Sequence, residues 1–327
     1  MTLTRCVIAF FIFFSTSVAA NTPVKEQIEL TRNGTEILLK RNYPEARKFI
    51  YKLLEKEETR LLGYFGIMAY TQIRNLENYD YRFDSEYLVL AEGGRKKALD
   101  VYKDPKSSGW DLLVAGGILG VSGFYKAHHG KWLASLWDGQ TALRAMKIAY
   151  QRDTTLTDAL LGIGFYHYWM SHFTRRLKLL PFVADRRNLG KRQIRMAGEL
   201  GQVVGPLAEI SLGFIDYVEK DYPKALVVTK KMLSSYPDNI VVRMLQGQTY
   251  FKMRDYQRAR EEFKRILAID SSLTKGWLFL GLIEAYEGKN PKEARRLLQL
   301  YLDLDKTATT HWKKLAEEAL ARLRSVK

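Results

Sequence analysis

Cysteine is almost missing from this chain. The only cysteine, Cys6, lies near the amino terminus, at the front of an apolar run that ends at Phe14. A mature chain that begins after this segment has no thiol, so it forms no disulfide and offers no thiolate ligand to zinc. Because Cys6 begins the apolar run instead of following it, a lipoprotein anchor is not expected.

The short motifs of common enzyme chemistry are also missing. His128 and His129 are adjacent, His167 and His172 are five residues apart, and no His-Glu-x-x-His pattern occurs. The glycine-rich stretch 116–123 is not followed by Gly-Lys-Ser/Thr, and no serine lies in a Gly-x-Ser-x-Gly elbow. We therefore predict a protein that is not an enzyme and has no metal site, no cofactor and no small-molecule substrate.

No stretch shows the sustained alternation of apolar and polar residues that a half-buried strand requires. The composition is nevertheless that of a folded protein, with 46% hydrophobic and 12% aromatic residues. The apolar residues recur with the period of a helix. We predict an all-α protein.

The amino terminus has the form of a secretory signal peptide. Arg5 precedes the apolar run Cys6–Phe14, and small residues follow as far as Ala20. The run is shorter than the about 20 residues of a membrane-spanning helix. We predict that residues 1–20 are removed by cleavage before Asn21; an uncleaved membrane anchor is the alternative. Export without disulfides indicates the periplasm or cell envelope of a bacterium.

A repeat of 34 residues organises the carboxyl-terminal third of the chain. Gly213, Gly247 and Gly281 follow one another at this step, and Ala225 and Ala259 keep it. A fixed period of this length indicates stacked helix pairs instead of one closed core. The predicted units are 206–239, 240–273 and 274–307, followed by a capping helix at 308–327.

Within a unit, small residues such as Gly247 and Ala259 let two antiparallel helices approach, and Asp255-Tyr256 forms the turn between them. With these residues, the segment from Pro206 to Thr307 resembles the tetratricopeptide repeat family. The resemblance implies helix-turn-helix pairs stacked into a right-handed superhelix, an α-α solenoid with a concave groove. It also implies binding of a protein or peptide in preference to catalysis.

The upstream part, 21–205, is predicted to contain divergent helical repeats with insertions. Gly34 and Ala46 keep the glycine-to-alanine spacing of the later units. The glycines of stretch 116–123, with Asp138-Gly139 and the aromatic stretch 161–169, are similar to a group of secreted bacterial repeat proteins. These are distantly like the tetratricopeptide-repeat-39 (inclusion-body-clearance) family, and no established active site comes with that resemblance.

The predicted groove is apolar and aromatic. Where chaperone-binding tetratricopeptide domains carry a carboxylate clamp, this chain has Ile210, Phe214, Met244 and Gln248, so the clamp is missing. Such a groove suits an amphipathic helix or an extended peptide, or the protein's own upstream repeats fill it, which the length of the upstream chain favours. The residues predicted to line it are Ile210, Phe214, Tyr217, Met244, Gln248, Phe251, Lys252, Lys275, Leu278, Leu282 and Tyr286.

Positive charge is concentrated in one segment of a chain whose formal net charge is +16. Between residues 174 and 195 the only acid is Asp185. The spacing of Arg187, Lys191 and Arg195 places them on one helical stripe, which attracts anionic lipid, glycan or protein, or only keeps the helix face solvated. Export and the lack of a nucleic-acid-binding motif argue against nucleic acid. The residues predicted to bind anions are Arg175, Arg176, Lys178, Arg187, Lys191 and Arg195.

These observations predict a non-enzymatic repeat scaffold that binds a protein or peptide partner in the periplasm or cell envelope and supports envelope assembly or maintenance. The alternative is a peripheral envelope protein that binds anionic lipid or glycan through the basic stripe.

Overall fold

The computed structural model describes residues 24–176, 184–305 and 310–325; the predicted signal peptide lies outside them. Within these ranges the chain forms helices joined by turns and no strand, so the predicted all-α repeat fold is confirmed. The helices are α1 (Val24–Leu39), α2 (Tyr43–Glu55), α3 (Arg60–Asn78), α4 (Asp84–Lys103), α5 (Gly109–His128), α6 (Trp132–Arg152), α7 (Ala159–Arg176), α8 (Arg187–Leu200), α9 (Gly205–Val218), α10 (Tyr222–Ser235), α11 (Ile240–Lys252), α12 (Tyr256–Ile269), α13 (Thr274–Glu287), α14 (Pro291–Leu304) and α15 (Thr310–Ser325).

The helices pack in chain order, each against the next, which makes the array a solenoid of helix pairs. Helices α1, α3, α5 and α7 also contact one another in succession, so the first helices of the pairs form a layer of their own. Among the described helices, none has both the length and the hydropathy needed to cross a bilayer.

The turns inside several pairs share one backbone conformation. The second residue after the first helix has a left-handed φ at Arg41 (60°), Lys220 (65°) and Arg254 (61°). The next residue caps the second helix by accepting a hydrogen bond from a backbone N–H, as seen at Asn42, Asp221 and Asp255. The first pair, α1 and α2, therefore uses the same turn as two of the carboxyl-terminal pairs.

The repeated glycines mark the closest approach of the two helices in a pair. An added Cβ would lie 2.9 Å from Val228 at Gly213, 2.9 Å from Phe263 at Gly247 and 2.8 Å from Leu298 at Gly281. Ala259 is fully buried, and the atoms nearest to a Cβ on Gly247 belong to Phe263 and Glu262. The larger side chain fills the space that the missing Cβ leaves.

The glycine-rich stretch 116–123 lies inside the continuous helix α5. It is therefore not a phosphate-binding loop, and its glycines serve close packing between helices. A Cβ at Gly117 would lie 2.9 Å from Phe65 of α3. A Cβ at Gly123 would lie 3.2 Å from the backbone oxygen of Ser135 in α6. Helix α5 therefore approaches both neighbours closely.

One buried carboxylate fixes the turn between α8 and α9. Asp158, only 2% exposed, precedes α7, and its Oδ1 accepts hydrogen bonds from the backbone N–H groups of Val203 (2.8 Å) and Val204 (3.0 Å). Its Oδ2 accepts a third from Gln202 N–H at 2.8 Å. The start of one helix pair is thus tied to the start of the next.

The amino-terminal helices return to the carboxyl-terminal repeats. The side chain of Arg41 donates to Glu77 Oε1 at 2.8 Å and to Asp270 Oδ2 at 2.7 Å. The hydroxyl of Tyr236 donates to Glu36 Oε2 at 2.8 Å. Helix α3 also packs against α11. The array therefore closes on itself, and this closure determines what remains of the predicted groove.

Candidate functional site

The centre of the predicted groove is covered by the chain itself. Five of its eleven residues are buried, each at most 8% exposed: Met244, Gln248, Lys275, Leu278 and Leu282. The end of α3 covers them, since Gln248 Nε2 donates to the Tyr79 hydroxyl at 3.2 Å and the backbone N–H of Lys275 donates to Asn78 Oδ1 at 3.0 Å. In this structure these residues do not line an open groove.

The side chain of Lys275 is buried in an ion pair. The sequence placed it in the lining of the groove, but its Nζ lies 2.5 Å from Asp305 Oδ2 with both side chains at most 2% exposed. The same carboxylate oxygen accepts a hydrogen bond from the Thr274 hydroxyl at 2.8 Å. Burial lowers the pKa of Lys275, while the hydrogen bond to Asp305 opposes that shift. Lys275 is therefore an internal ion-pair partner.

The outer part of the predicted groove stays accessible. Tyr286 is 48% exposed and Lys252 is exposed, while Ile210, Phe214, Tyr217 and Phe251 are half-buried. The rings of Phe251 and Tyr286 meet edge to face with centroids 5.7 Å apart. Their role in partner binding stays a prediction.

A cavity of about 270 Å³ adjoins this closure, where α3, the turn after it, the end of α5 and α15 meet. Tyr79 and Trp312, which line it, also contact the covered groove residues Gln248 and Lys275. The lining residues are Gln72, Asn75, Leu76, Tyr79, Asp80, Tyr81, Phe124, Tyr125, His128, His129 and Trp312.

The walls of the cavity are mainly aromatic. Tyr79 and Trp312 pack with ring centroids 5.4 Å apart. On the opposite side, His129 lies between Tyr81 (4.5 Å) and Tyr125 (4.1 Å). Such walls offer large π faces to an apolar or aromatic group.

Both ring nitrogens of His129 have hydrogen-bond partners. Its Nε2 lies 2.6 Å from Asp84 Oδ2, and its Nδ1 lies 2.9 Å from the backbone oxygen of Tyr125. Asp84 also accepts hydrogen bonds from the Tyr125 hydroxyl at 3.1 Å and from Asn75 Nδ2 at 3.0 Å. Because both ring nitrogens face oxygen acceptors, the imidazole serves to position the wall. Within the described ranges, no cluster of three or more His, Cys, Asp or Glu side chains is arranged to hold a metal ion.

One polar group in the cavity wall is unused. Gln72 is 8% exposed, and its Nε2 has no hydrogen-bond partner among the described residues. A buried donor without a partner costs stability. Sequence reasoning missed this site because its residues come from three distant helices outside the strong repeats.

The basic stripe is largely neutralised. Arg187 pairs with Asp185 and Lys191 with Glu219, each at 2.6 Å, and the two basic side chains are 23% and 26% exposed. Arg195 is exposed. Lys178 and the side chains of Arg175 and Arg176, at the end of α7, lie outside the described part of the chain. The stripe thus does not face solvent as three free cations.

No protein-family model matches the chain, and no curated protein matches it. Among solved structures, it is similar to a tetratricopeptide repeat protein from Parabacteroides merdae, with 11% identity and a TM-score of 0.45 over 92% of this chain and 99% of that one. The C-terminal part of a repeat protein from Cytophaga hutchinsonii shows 17% identity and a TM-score of 0.42 over 90% and 98%.

A third similar structure is the APC/C hetero-tetramer Cut9–Hcn1, with 13% identity, a TM-score of 0.41 and coverage of 86% of this chain and 52% of that one. The first two are described as tetratricopeptide or TPR repeat proteins, the family that the sequence resembles. At these identities and TM-scores, no function is carried over from any of the three.

Proposed function

We propose that this chain is a non-enzymatic helical-repeat scaffold that binds a partner protein in the periplasm or cell envelope and supports envelope assembly or maintenance. The observation that carries the proposal is the aromatic cavity between α3, α5 and α15. The outer groove residues Phe251 and Tyr286 offer a second, shallower contact.

The size of the cavity favours part of a protein over a free metabolite. Sites for small molecules usually occupy about 300–1,000 Å³, and this cavity of about 270 Å³ falls just below that range. It fits one large apolar side chain. Anchor residues in such pockets contribute most of the binding energy of many protein interfaces.

The binding test uses a photo-reactive amino acid in the intact protein, expressed in its own cells. Phe124, in the cavity wall, is compared with Val227, which is 69% exposed on α10. We expect a protein adduct from position 124 alone, and its loss when Leu76→Trp fills the cavity. Equal adducts from both positions, or an adduct that survives Leu76→Trp in a folded variant, would refute the proposal.

Export has its own test. Sequencing the amino terminus of the protein recovered from cells should give Asn21 as the first residue, because small residues up to Ala20 follow the apolar run. A protein that still begins at Met1 and sediments with membranes would support the uncleaved anchor.

A further inference from the structure

The first two turns of α6 expose large apolar side chains to solvent. Trp132 is 63% exposed, Leu133 85%, Leu136 40% and Trp137 67%. Residues at these spacings share one side of a helix, so the four side chains form a continuous surface, called here the α6 patch. Proteins seldom leave two tryptophans and two leucines together in water without a binding role.

Helix α7 carries a further exposed aromatic side chain near this surface. A Cβ on Gly139 of α6 would lie 3.6 Å from the ring of Tyr166 of α7. Two turns before Gly139 lies Trp132, and two turns after Tyr166 lies Phe173, which is 51% exposed. Because a short turn joins these two packed helices, they run antiparallel, and Phe173 lies at the same end of the pair as the α6 patch.

The charges that α6 and α7 expose have one sign. Between residues 130 and 152 the only acid is Asp138, which is fully buried and paired with Arg95 and Lys126. Lys131 and Arg144 are exposed. Helix α7 has no acidic residue along its whole length. The surface therefore combines apolar side chains with positive charge and exposes no carboxylate on these two helices.

We propose that the α6 patch docks on an anionic lipid bilayer, with its indole rings and leucines at the boundary between headgroups and acyl chains. Tryptophan concentrates at this boundary because its ring is apolar and its N–H is polar. Cationic side chains beside it are attracted to anionic headgroups. Side chains as exposed as Leu133 project outward, and a fluid bilayer accepts them without a preformed pocket.

This proposal is independent of partner binding in the cavity and of the basic stripe of α8. It uses neither Gln72 nor Arg187, and the α6 patch shares no residue with the cavity lining. A scaffold that holds a partner and a bilayer through separate surfaces brings the two together.

The test is co-sedimentation of the intact purified protein with vesicles of phosphatidylglycerol and phosphatidylcholine, and with vesicles of phosphatidylcholine alone. The variant Trp132→Ala/Trp137→Ala is compared with Val227→Ala/Leu304→Ala, which removes two exposed apolar side chains elsewhere. We expect wild type and control to bind the anionic vesicles. The affinity of the double tryptophan variant should be lower by about tenfold or more. Lipids brominated along the acyl chain should quench wild-type fluorescence.

Several outcomes would overturn the proposal. Failure of the wild-type protein to sediment with anionic vesicles would contradict it, and so would equally strong binding to neutral vesicles. Equal binding by wild type and the double tryptophan variant would also contradict it. A protein adduct from a photo-reactive residue at Leu133, without vesicle binding, would assign the α6 patch to a protein partner. If the double variant does not fold, Leu133→Ser provides the comparison at a single, 85% exposed position, where the same loss of binding is expected.

Discussion

Arg41 and Asp270 lie 229 residues apart in the chain, and a hydrogen bond of 2.7 Å joins Arg41 Nη2 to Asp270 Oδ2. Arg41 also pairs with Glu77, whose side chain is 5% exposed. The substitution Arg41→Gly removes the ion pairs with both Glu77 and Asp270. It should lower the free energy of unfolding by about 2 kcal/mol, because the buried carboxylate of Glu77 loses its cation. Urea unfolding measures the change.

Arg254→Gly is the matched control for that substitution. Arg254 has a φ of 61° and Arg41 a φ of 60°. Glycine therefore removes the same strain of the left-handed backbone at both positions. Arg254 is exposed and forms no ion pair in the described ranges, so its variant should be more stable by about 1 kcal/mol. The hypothesis of a stabilising closure fails if the two variants shift stability in the same direction.

Two glycines inside helices should respond oppositely to alanine. Gly247→Ala puts a methyl group 2.9 Å from the ring of Phe263, so it should cost about 1–3 kcal/mol through overpacking. Gly120→Ala meets nothing within 4 Å and should gain up to about 1 kcal/mol from helix propensity. Thermal unfolding compares them, and a stabilised Gly247→Ala would contradict the close approach.

Asp158→Ala should destabilise the protein by about 3 kcal/mol. It leaves the backbone donors of Gln202, Val203 and Val204 without their acceptor, and bonds to a carboxylate are stronger than neutral ones. Asp303→Ala, at an exposed position of α14, should change stability by less than about 0.5 kcal/mol. Urea unfolding of both variants is the measurement; equal midpoints would show that the turn does not depend on Asp158.

Acidification should weaken the fold through His167. This residue is 6% exposed, its Nδ1 lies 2.7 Å from Gln193 Oε1, and burial lowers its pKa, with Lys147 and Arg186 adding to the effect. The unfolded chain then takes up the proton first, so stability is lost as the pH falls through about 6.5, the ordinary histidine value.

The measurement for this pH effect is the thermal midpoint between about pH 7.5 and about pH 5.5. His167→Gln should flatten the dependence, since glutamine does not titrate. His311→Gln, at an exposed position of α15, should leave the dependence unchanged. An identical slope for wild type and His167→Gln would remove His167 as its source.

Sequence reasoning succeeded where the interaction is local. Gly213 packs against Val228 within one helix pair, and Asp255 caps the helix that starts beside it. Such contacts recur in each helix pair, so the residues that form them recur in the sequence with a period of 34 residues. The all-α solenoid follows from these signals alone.

The site was less predictable because its contacts span the whole chain. Periodicity shows that Leu278 lies on an apolar face but not that the end of α3 packs against this repeat; Asn78 meets Thr274 across 196 residues. Charge patterns fail for the same reason. Lys191 has the spacing of a free cationic stripe, yet its partner Glu219 comes from the next helix pair.

The return of the first helices to the last repeats fixes how many repeats the chain contains. An open solenoid gains or loses a unit at little cost, because each unit contacts only its neighbours. Here one more helix pair between α4 and α10 would move Asp270 away from Arg41 by the width of a repeat. Length changes are therefore confined to the turns, and loss of order at one end of the chain is transmitted directly to the other.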